Sequence, residues 1–395
     1  MIIVIQRGNL MNVLWKQKNW ISNPKIDDML IDKACELEGL EKKLLAETGQ
    51  DNVEILVSRA MEDEICASSG IEGIRMDSGK IRSSIARNRG WIQSEWSPAR
   101  QNSDKEARAV RSAIHMMRAG ELTHELICEC HAMLPQPKEI GWGKYRDHPE
   151  SVFDENGDSV YDAPDASEML HCMDDFIKWW HSDRLNLPLA IGSALGHLYF
   201  ETIHPFHDGN GRIGRMIADK AWEKNGKFRP FSVSGAIAQD KNRYYDFINA
   251  AQTQGRVQQW LSYMLKAQES ALQTAMDRAA GLKDIQEWVS KTSFQPDSTD
   301  LEIIYEMGLA NRRRWTEFDA TQYMQDGELS EKSWAKLVKY GIIQDGQLDL
   351  SAGITGCKAQ NCYLANAEQP VEDAHKDEEN EVQAHGIHDP QCNTW

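Results

Sequence analysis

The chain has 395 residues, 41% of them hydrophobic and 27% charged, enough for two or three domains and a sizeable core. Its formal net charge of −17 argues against a large interface with nucleic-acid phosphates. No apolar run is as long as a membrane span, and the apolar stretch Met1–Ile5 is too short for a secretory signal. The eight cysteines are scattered, which favours reduced thiols. We therefore expect a cytoplasmic globular protein with no membrane partner.

The first predicted elements are helices. Two tryptophans, Trp15 and Trp20, are expected to pack in the core, and an amphipathic helix follows them. Its apolar residues recur near helical spacing: Met29, Ile31, Ala34, Leu37, Leu40 and Leu44. Further helices are predicted at 51–68, 78–90, 103–119 and 121–134. Ser68 and Glu72 are four residues apart, which places them one above the other on a helix face; taken alone, Glu72 reads as a solvated helix residue.

Residues 141–164 break the helical pattern. Two short β-prone segments flank Asn156-Gly157, and this dipeptide between apolar residues is the strongest local signal for a hairpin. The strands carry Val152 and Phe153 on one side and Val160 and Tyr161 on the other, and Pro164 ends the second strand. A surface hairpin without any partner is an open alternative.

The next two helices are predicted at 166–181 and 188–203. The second is apolar nearly all round, as expected for a buried central helix, and it leads directly into His204. His197 lies within it, and we interpret this residue as a core histidine.

Residues 204–215 concentrate side chains suited to a nucleotide's phosphates. A histidine can act as a base, and a carboxylate can hold magnesium together with phosphate oxygens. A glycine-rich turn at the start of a helix can direct backbone N–H groups at an anion. Two arginines at i, i+3 lie on one helix face and offer planar forks to phosphate oxygens. In order, these groups are His204, Asp208, Gly209, Asn210, Gly211, Arg212 and Arg215.

This stretch resembles the Fic motif, His-x-Phe-x-(Asp/Glu)-Gly-Asn-Gly-Arg-x-x-Arg, at every specified position. Fic proteins typically transfer AMP from ATP to a hydroxyl group of a target protein. The resemblance implies that His204 is the general base, that Asp208 binds Mg²⁺, and that Phe206 anchors the loop. It also implies an anion hole at Gly209–Gly211 and binding of the outer phosphates by Arg212 and Arg215. A transition-metal site at His204, His207 and Asp208, or a simple connector, would not explain both arginines.

An upstream segment resembles the inhibitory motif (Ser/Thr)-x-x-x-Glu-(Gly/Asn) of many Fic proteins, with Ser68, Glu72 and Gly73 at its positions. The resemblance implies that Glu72 pairs with Arg215 and blocks the productive position of the γ-phosphate. Such a carboxylate competes with phosphate for the same guanidinium. The Trp15-x-Gln17-x-x-Trp20 opening and Ile81–Arg87 resemble a subfamily with a small N-terminal domain.

Two further segments take their expected roles from the same resemblance. The hairpin resembles the Fic flap, which docks the target backbone as an added strand, so Val152, Phe153, Val160 and Tyr161 are candidates for target docking. Tyr244, Tyr245 and Asn249 resemble the segment that shapes the adenine pocket. Lys241 stands where an arginine is expected. A helix at 256–280 is predicted to complete the core.

Residues 284–365 are predicted to form a separate unit resembling a small winged-helix module, with a helix from Leu329, a glycine stop and a strand pair through Leu348 and Tyr363. Gly356–Tyr363 departs from the usual wing, so DNA contact is doubtful and we interpret the unit as an interaction or dimer module. The tail 366–395 is acidic and expected to be disordered. A zinc cluster could in principle form near the C-terminus, but the spacing of its ligands matches no common zinc module. The ligands would be Cys357, Cys362, His385, His388 and Cys392.

The sequence therefore predicts a mainly α protein with a helical N-terminal domain (11–100), a Fic helical-bundle core with a β-hairpin flap (101–282), a winged-helix-like module (284–365) and a tail (366–395). The expected activity is Mg²⁺-dependent transfer of AMP from ATP to a Tyr, Thr or Ser hydroxyl of a target protein or of the chain itself, restrained by Glu72. We expect a homodimer. Two alternatives stay open: a Fic-fold transferase with another donor, such as UTP or CDP-choline, and a nucleotide-responsive regulator acting through residues 284–365.

Overall fold

The structure, a computed structural model, describes residues 13–76, 101–135, 142–153, 157, 159–223, 229–309 and 327–352. Several predicted features lie outside these residues: the helix at 78–90 with Ile81–Arg87, the wing at 356–363, the tail 366–395 and all five candidate zinc ligands. The cysteines at 35, 66, 128, 130 and 172 are free thiols. None of the described helices has a stretch long and apolar enough to cross a membrane.

The described residues are mostly helical, as predicted. The N-terminal helices are α1 (Asp28–Glu47), α2 (Gln50–Ile71), α3 (Gln101–Ala119) and α4 (His124–Ala132). The hairpin strands β1 (Ser151–Phe153) and β2 (Ser159–Asp162) follow, and then α5 (Ala166–His181), α6 (Leu189–Ile203), α7 (Asn210–Lys220), α8 (Val233–Ala238), α9 (Lys241–Gln254) and α10 (Val257–Lys291). The last elements are α11 (Ser298–Leu309), α12 (Gly327–Lys339) and the short strands β3 (Ile343–Gln344) and β4 (Gln347–Leu348).

Helix α6 lies at the centre of the fold. All its residues from Ala190 to Ile203 are buried, which explains why its sequence has no polar face. Helix α10 packs along it and supplies donors to its backbone: Trp260 Nε1 donates to the carbonyl of Ala194 at 2.8 Å and Gln268 Nε2 to that of Ala190 at 3.1 Å. His197 is a core histidine, as predicted. Its Nε2 lies 2.9 Å from the Tyr244 hydroxyl, and burial lowers its pKa to about 3.

The buried face of α1 is narrower than the apolar face that the sequence predicted. The buried positions are Ala34, Leu37, Glu41 and Leu44, and Glu41 is paired with Arg229. Met29 is 80% exposed, because it lies about 140° around the helix axis from Ala34. Its placement on the buried face was wrong, and Ile31, predicted on the same face, is exposed as well.

The N-terminal tryptophans contact the central helix and the hairpin. The Trp20 ring meets Tyr199 of α6 edge-on, with 5.7 Å between ring centroids. Trp15 Nε1 donates to the carbonyl of Asp162 at 3.0 Å, at the end of β2. Trp20 packs against the core as predicted. Trp15 is half-buried outside this core cluster, so its predicted core position was wrong, and it supports the base of the hairpin instead.

The C-terminal helices share a second apolar cluster, and α10 extends into it. This helix continues to Lys291, past the predicted end at 280 and through the predicted boundary at 282–284. Its last turns bring Ile285 and Trp288 against α11 and α12. The other buried members are Ile303, Ile304, Met307, Trp334, Leu337, Ile342 and Ile343. The predicted helix and glycine stop are present, with Gly341 at φ +73° before β3; Tyr363 lies outside the described residues.

Replacing Phe176 with Ala should destabilise the core. Phe176 of α5 is fully buried, and its ring lies 6.1 Å from those of Trp179 and Phe200. The cavity should cost about 3–5 kcal/mol of unfolding free energy. Leu170 on the same helix is 50% exposed, so Leu170→Ala should change stability by less than about 1 kcal/mol. Urea unfolding of the two variants and wild type tests this, and equal losses would contradict the burial of Phe176.

Candidate active site

The loop between α6 and α7 begins at a residue in an unusual backbone conformation. His204 caps the C-terminus of α6 with φ 51° and ψ 59°, a left-handed conformation that costs energy for a residue other than glycine. The second left-handed residue is Gly209 (φ +83°), directly before α7. A Cβ on Gly209 would lie 3.0 Å from the Trp142 ring and 3.1 Å from His131 Nε2. Glycine is therefore required here both by φ and by the close ring.

The loop is held from within by Asn210 and Phe206. Asn210 Oδ1 accepts from the Phe206 N–H at 2.9 Å, and its Nδ2 donates to the Phe206 carbonyl at 2.7 Å. The Phe206 ring is fully buried and stacks on His131, with centroids 3.7 Å apart and planes at 5°. Phe206 thus anchors the loop as predicted. The Asn210 side chain serves the loop rather than the open site.

His131 fixes the other end of the loop. Its Nδ1 accepts from the Gly143 N–H at 2.9 Å, so Nε2 carries the proton and donates to the Asp208 carbonyl at 2.9 Å. Burial lowers its pKa to about 4, which keeps the ring neutral at pH 7. This tautomer orients the backbone directly beneath the Asp208 side chain.

Arg146 joins the loop between α6 and α7 (the catalytic loop, residues 204–209) to the base of the hairpin. Its Nε donates to the His204 carbonyl at 2.8 Å, and its terminal nitrogens donate to the carbonyls of His148 at 2.8 Å and Pro164 at 2.5 Å. Its backbone N–H donates to the Pro205 carbonyl at 2.9 Å. One buried guanidinium therefore positions His204 relative to both ends of the β1–β2 hairpin.

His204 and Glu201 form the titratable centre of the site. Burial lowers the pKa of His204 to about 4, so its ring is neutral at pH 7 and able to accept a proton. Glu201 lies one turn earlier, with Oε2 3.8 Å from His204 Nδ1. Burial, and next the charge of Glu72, raise the pKa of Glu201 to about 8, although Arg215 acts in the opposite direction. Near neutral pH the Glu201 carboxyl therefore keeps its proton.

The first turn of α7 and the two arginines form a candidate anion site. The leading N–H groups of a helix have no partner within the helix, and a positive dipole end adds to them. Arg212 is 3% exposed; its Nη1 donates to the Pro135 carbonyl at 3.2 Å and its Nη2 lies 3.5 Å from Asp208 Oδ2. Within the described residues, Arg212 Nε and Arg215 Nη1 are buried without an acceptor. Buried guanidinium N–H groups of this kind suit an anionic ligand.

Arg215 already has a carboxylate partner from another part of the chain. Its Nη2 donates to Glu72 Oε1 at 2.6 Å and to the Ser68 carbonyl at 2.9 Å, while Nε donates to Ser68 Oγ at 2.9 Å. Burial alone would lower the pKa of Arg215, but Glu72 and its other acidic neighbours more than offset this and raise it. The predicted contact between Glu72 and Arg215 is therefore present in the structure, and Ser68 adds two acceptors that were not predicted.

Two glycines support this pair, Gly211 by leaving room for it and Gly73 by turning the chain beside it. A Cβ on Gly211 would collide with Glu72 Oε1 and lie 3.0 Å from Arg215 Nη1. Gly73, at φ +76°, turns the chain directly after Glu72 at the end of α2. Tyr245 supports the same helix end, because its hydroxyl donates to the Ile71 carbonyl at 3.2 Å.

Asp208 meets the requirements of a magnesium ligand. Its side chain is 46% exposed, with Oδ1 accepting the Gly209 N–H at 2.5 Å, so the carboxylate keeps lone pairs open to solvent. Mg²⁺ typically takes one or two carboxylates and completes its shell with water and phosphate oxygens. One accessible carboxylate beside two arginines and a helix N-terminus fits that pattern.

The three candidate adenine residues have different surroundings, although the rings of Tyr244 and Tyr245 lie 5.0 Å apart between centroids. Tyr244 is 2% exposed and bonded to His197, so its ring belongs to the core. Asn249 Nδ2 donates to the Val160 carbonyl at 3.0 Å, which ties α9 to the hairpin. Tyr245, at 40% exposure, is the member of the three that faces open space beside Glu72.

The hairpin forms where the sequence predicted it. Val152 pairs with Tyr161 and Phe153 with Ser159 in an antiparallel register. Tyr161 is buried, and its hydroxyl donates to the Thr202 carbonyl at 2.6 Å, two residues before His204. Phe153 is 60% exposed, and Val152 and Val160 are half-buried. Tyr161 therefore anchors the hairpin, with its paired residue Val152 on the same face, and Phe153 is the most accessible of the four candidates. Asn156 lies outside the described residues.

Sequence reasoning missed three residues that shape the site: Glu201, His131 and Arg146. Glu201 had a signal, because a lone acidic residue in an otherwise apolar helix next to His204 has to be explained. The sequence gives no signal for Arg146 or His131, because their partners are backbone groups 58 and 77 residues away along the chain.

Comparison with known proteins agrees with this geometry. Residues 121–222 match the family model "Fic/DOC family", and the chain therefore contains a Fic domain. A relative from Nematostella vectensis called "Protein adenylyltransferase Fic" is 26% identical over 171 residues, which is 43% of this chain and 37% of the relative. One of the same name from Drosophila yakuba is 26% identical over 110 residues, 28% of this chain and 21% of the relative. The matches thus span about a third or less of these relatives.

Solved structures show the same fold. A Fic family protein from Desulfovibrio desulfuricans G20 superposes with a TM-score of 0.52 at 20% identity, covering 80% of this chain and 91% of that protein. Fic-1 (aa134–508) from C. elegans gives a TM-score of 0.50 at 17% identity, covering 66% and 74% respectively. The fold is that of Fic-domain helical proteins, as the sequence predicted.

Replacing Glu201 with Gln should change how stability depends on pH. Because the folded pKa of about 8 exceeds the unfolded value, folded Glu201 holds its proton between about pH 4.5 and 8 and unfolded Glu201 does not. Wild type therefore loses stability relative to Glu201→Gln as pH rises through this window, by on the order of 3 kcal/mol. Urea unfolding at pH 5 and pH 8.5 measures the difference. An equal gap at both pH values would show that the folded pKa is not raised.

Proposed function

We propose that this protein is an adenylyltransferase that moves AMP from ATP to a Tyr, Thr or Ser hydroxyl of a target protein or of itself, and that Glu72 restrains it. The observation that carries the proposal is the 2.6 Å contact between Glu72 Oε1 and Arg215 Nη2, inside a site that holds a neutral base and a helix N-terminus. The names of the relatives, "Protein adenylyltransferase Fic", support the same activity.

His204 serves as the base. Its neutral ring accepts the proton of the incoming hydroxyl as that oxygen forms a bond to the α-phosphorus of ATP. The bond from this phosphorus to the bridging oxygen of the β-phosphate breaks, and pyrophosphate leaves. Arg146 holds the His204 backbone from below, so the ring has a fixed position for in-line attack.

The triphosphate binds at the start of α7. Free N–H groups of the first turn and the side chains of Arg212 and Arg215 stabilise the negative charge of the transferring group and the leaving pyrophosphate. Asp208 would hold Mg²⁺, which when bound neutralises phosphate charge. The 46% exposure of the Asp208 side chain leaves the carboxylate accessible to a hydrated ion.

Glu72 restrains the reaction by occupying a phosphate partner. The Arg215 side chain is 2% exposed and that of Glu72 is 26% exposed, so the pair is largely shielded from water and a γ-phosphate must displace the carboxylate to reach the guanidinium. A phosphate oxygen aimed at Nη2 competes directly with the Glu72 carboxylate for that donor. Removing the Glu72 carboxylate frees Arg215 while Ser68 continues to orient it.

The hairpin provides the docking surface for the target. A two-stranded hairpin has open edges that can accept another strand. Phe153 lies exposed on β1, whereas Tyr161 and Arg146 fix the base of the hairpin next to His204. An extended target segment added there would run past the catalytic base.

The decisive experiment is incubation with Mg²⁺ and ATP labelled at the α-phosphate. Glu72→Gly should label itself much more strongly than wild type, because the γ-phosphate can then reach Arg215. Glu72→Gly/His204→Ala should show no label, because the base is missing. Autoradiography of the separated protein measures both effects.

Glu47→Gly is the matched control, since Glu47 ends α1 and is exposed, with only a 4.0 Å contact to Lys43. It should label no more than wild type. An unlabelled Glu72→Gly protein that instead takes label from UTP or CDP-choline would replace the donor in this proposal. If no donor labels it, a regulatory role through residues 284–365 becomes the better account, and DNA binding by the chain should be measured.

Ser68→Ala should relieve the restraint in part. The substitution removes the hydroxyl that accepts from Arg215 Nε at 2.9 Å but leaves the carbonyl that accepts from Nη2. A lost hydrogen bond to a charged group is worth about 1.5–3 kcal/mol, so labelling should fall between wild type and Glu72→Gly. Ser69→Ala changes the neighbouring serine, whose hydroxyl does not bond Arg215, and should match wild type. Identical labelling of both serine variants would rule out a role for the Ser68 hydroxyl.

A further inference from the structure

A second group of chemically active side chains lies beside the catalytic loop. His148, Glu150 and His207 each present one ligand atom, and these three atoms all lie within 4.8 Å of one another. The imidazole rings of His148 and His207 are 5.4 Å apart between centroids. The proposed transfer reaction gives none of these side chains a role, and His207 occupies a variable position of the motif.

The spacing of the three ligand atoms suits one small metal ion. Glu150 Oε2 lies 2.7 Å from His207 Nδ1 and 3.5 Å from His148 Nε2. Two ligands bound tetrahedrally to zinc at 2.0–2.2 Å lie about 3.3 Å apart, a value between the two observed distances. Small side-chain rotations would therefore bring all three atoms into one coordination shell.

The group also has an orienting residue of the kind found around metal sites. His148 Nδ1 lies 3.1 Å from Asp147 Oδ1, which can accept an Nδ1–H when a metal ion occupies the Nε2 side facing Glu150. Histidine ligands of zinc typically donate their second N–H to a carboxylate in this way. The Glu150 side chain is only 15% exposed, and the position of its carboxylate is therefore restricted before any ion binds.

We propose that His148, Glu150 and His207 form a binding site for a divalent transition-metal ion, in the first place Zn²⁺. Two imidazole nitrogens and one carboxylate suit zinc and its neighbours, whereas Mg²⁺ and Ca²⁺ prefer oxygen ligands alone. The remaining position is open to water, because His148 and His207 are about half exposed. This site is distinct from the magnesium site proposed at Asp208.

The bound ion links two segments that matter for the proposed transfer. Glu150 directly precedes β1, and its carbonyl accepts from the Ala163 N–H at 3.1 Å, at the open end of the hairpin. His207 lies between Phe206 and Asp208 in the catalytic loop. Zinc therefore ties the base of the hairpin to the catalytic loop and restricts their relative motion.

Zinc titration of the metal-stripped full chain tests the site. Isothermal calorimetry with ZnCl₂ in excess Mg²⁺ should show one more zinc equivalent in wild type than in His148→Ala/His207→Ala. His171→Ala is the matched control, because His171 is an exposed histidine 3.7 Å from Asp175 on α5; it should keep the full stoichiometry. Asp147→Asn should retain the site but weaken zinc binding by about 10-fold.

Two further measurements distinguish this site from the C-terminal cysteines and from a folding defect. Co²⁺ bound here should give visible d–d absorption without a thiolate-to-metal charge-transfer band, and the double variant should lose that absorption. Zinc should raise the thermal midpoint of wild type and of His171→Ala but not that of the double variant, which should match wild type in circular dichroism without metal. Equal zinc stoichiometry in wild type and the double variant, or absence of any zinc binding, would falsify the proposal.

Discussion

The site depends on the burial of one positive charge, the guanidinium of Arg215, which is 2% exposed. A buried charge is tolerated only when partners replace its water, and here Ser68 and Glu72 supply them from the end of α2. Ionised Glu201 would be a second negative charge beside Glu72, which is one reason why it keeps its proton. Removing Glu72 would take away this repulsion and lower the pKa of Glu201, although burial, the larger cause, would still hold it above its ordinary value.

Small residues make this arrangement of charges possible. The first turn of α7 has glycine at 211 because any Cβ there would occupy the space of the Glu72 carboxylate. One turn on, a Cβ at Gly214 would lie 2.8 Å from both Glu201 Oε1 and His197 Nδ1. Gly211 thus leaves room for the Glu72 carboxylate on one side of α7, and Gly214 leaves room for the Glu201 carboxyl on the other.

How far the site could be predicted from the sequence depended on the range of the interactions. The hairpin, the core role of His197 and most of the helices follow from local periodicity and turn residues, and the Fic resemblance correctly paired Glu72 with Arg215; the contacts of Ser68 with Arg215 were not predicted. Tyr244 and Asn249 were harder to place, because on a helix a tyrosine or an amide can face the core, a neighbour or a ligand, and only packing decides which. Arg146 could not be found at all, since it acts by donating to carbonyls, which every residue has.

The catalytic loop is held very differently on its two sides. From beneath, Asn210, His131 and Arg146 bind its backbone through fixed hydrogen bonds, so His204 and Asp208 have little freedom. On the other side, the contacts are between side chains. The Glu72 carboxylate binds Arg215 on α7, and the Glu150 carboxylate contacts His207 in the loop. A rigid base preserves the geometry that phosphoryl chemistry requires. The Glu72 and Glu150 carboxylates, 26% and 15% exposed, are each held by a side-chain contact, whereas the loop backbone beneath is fixed by several hydrogen bonds.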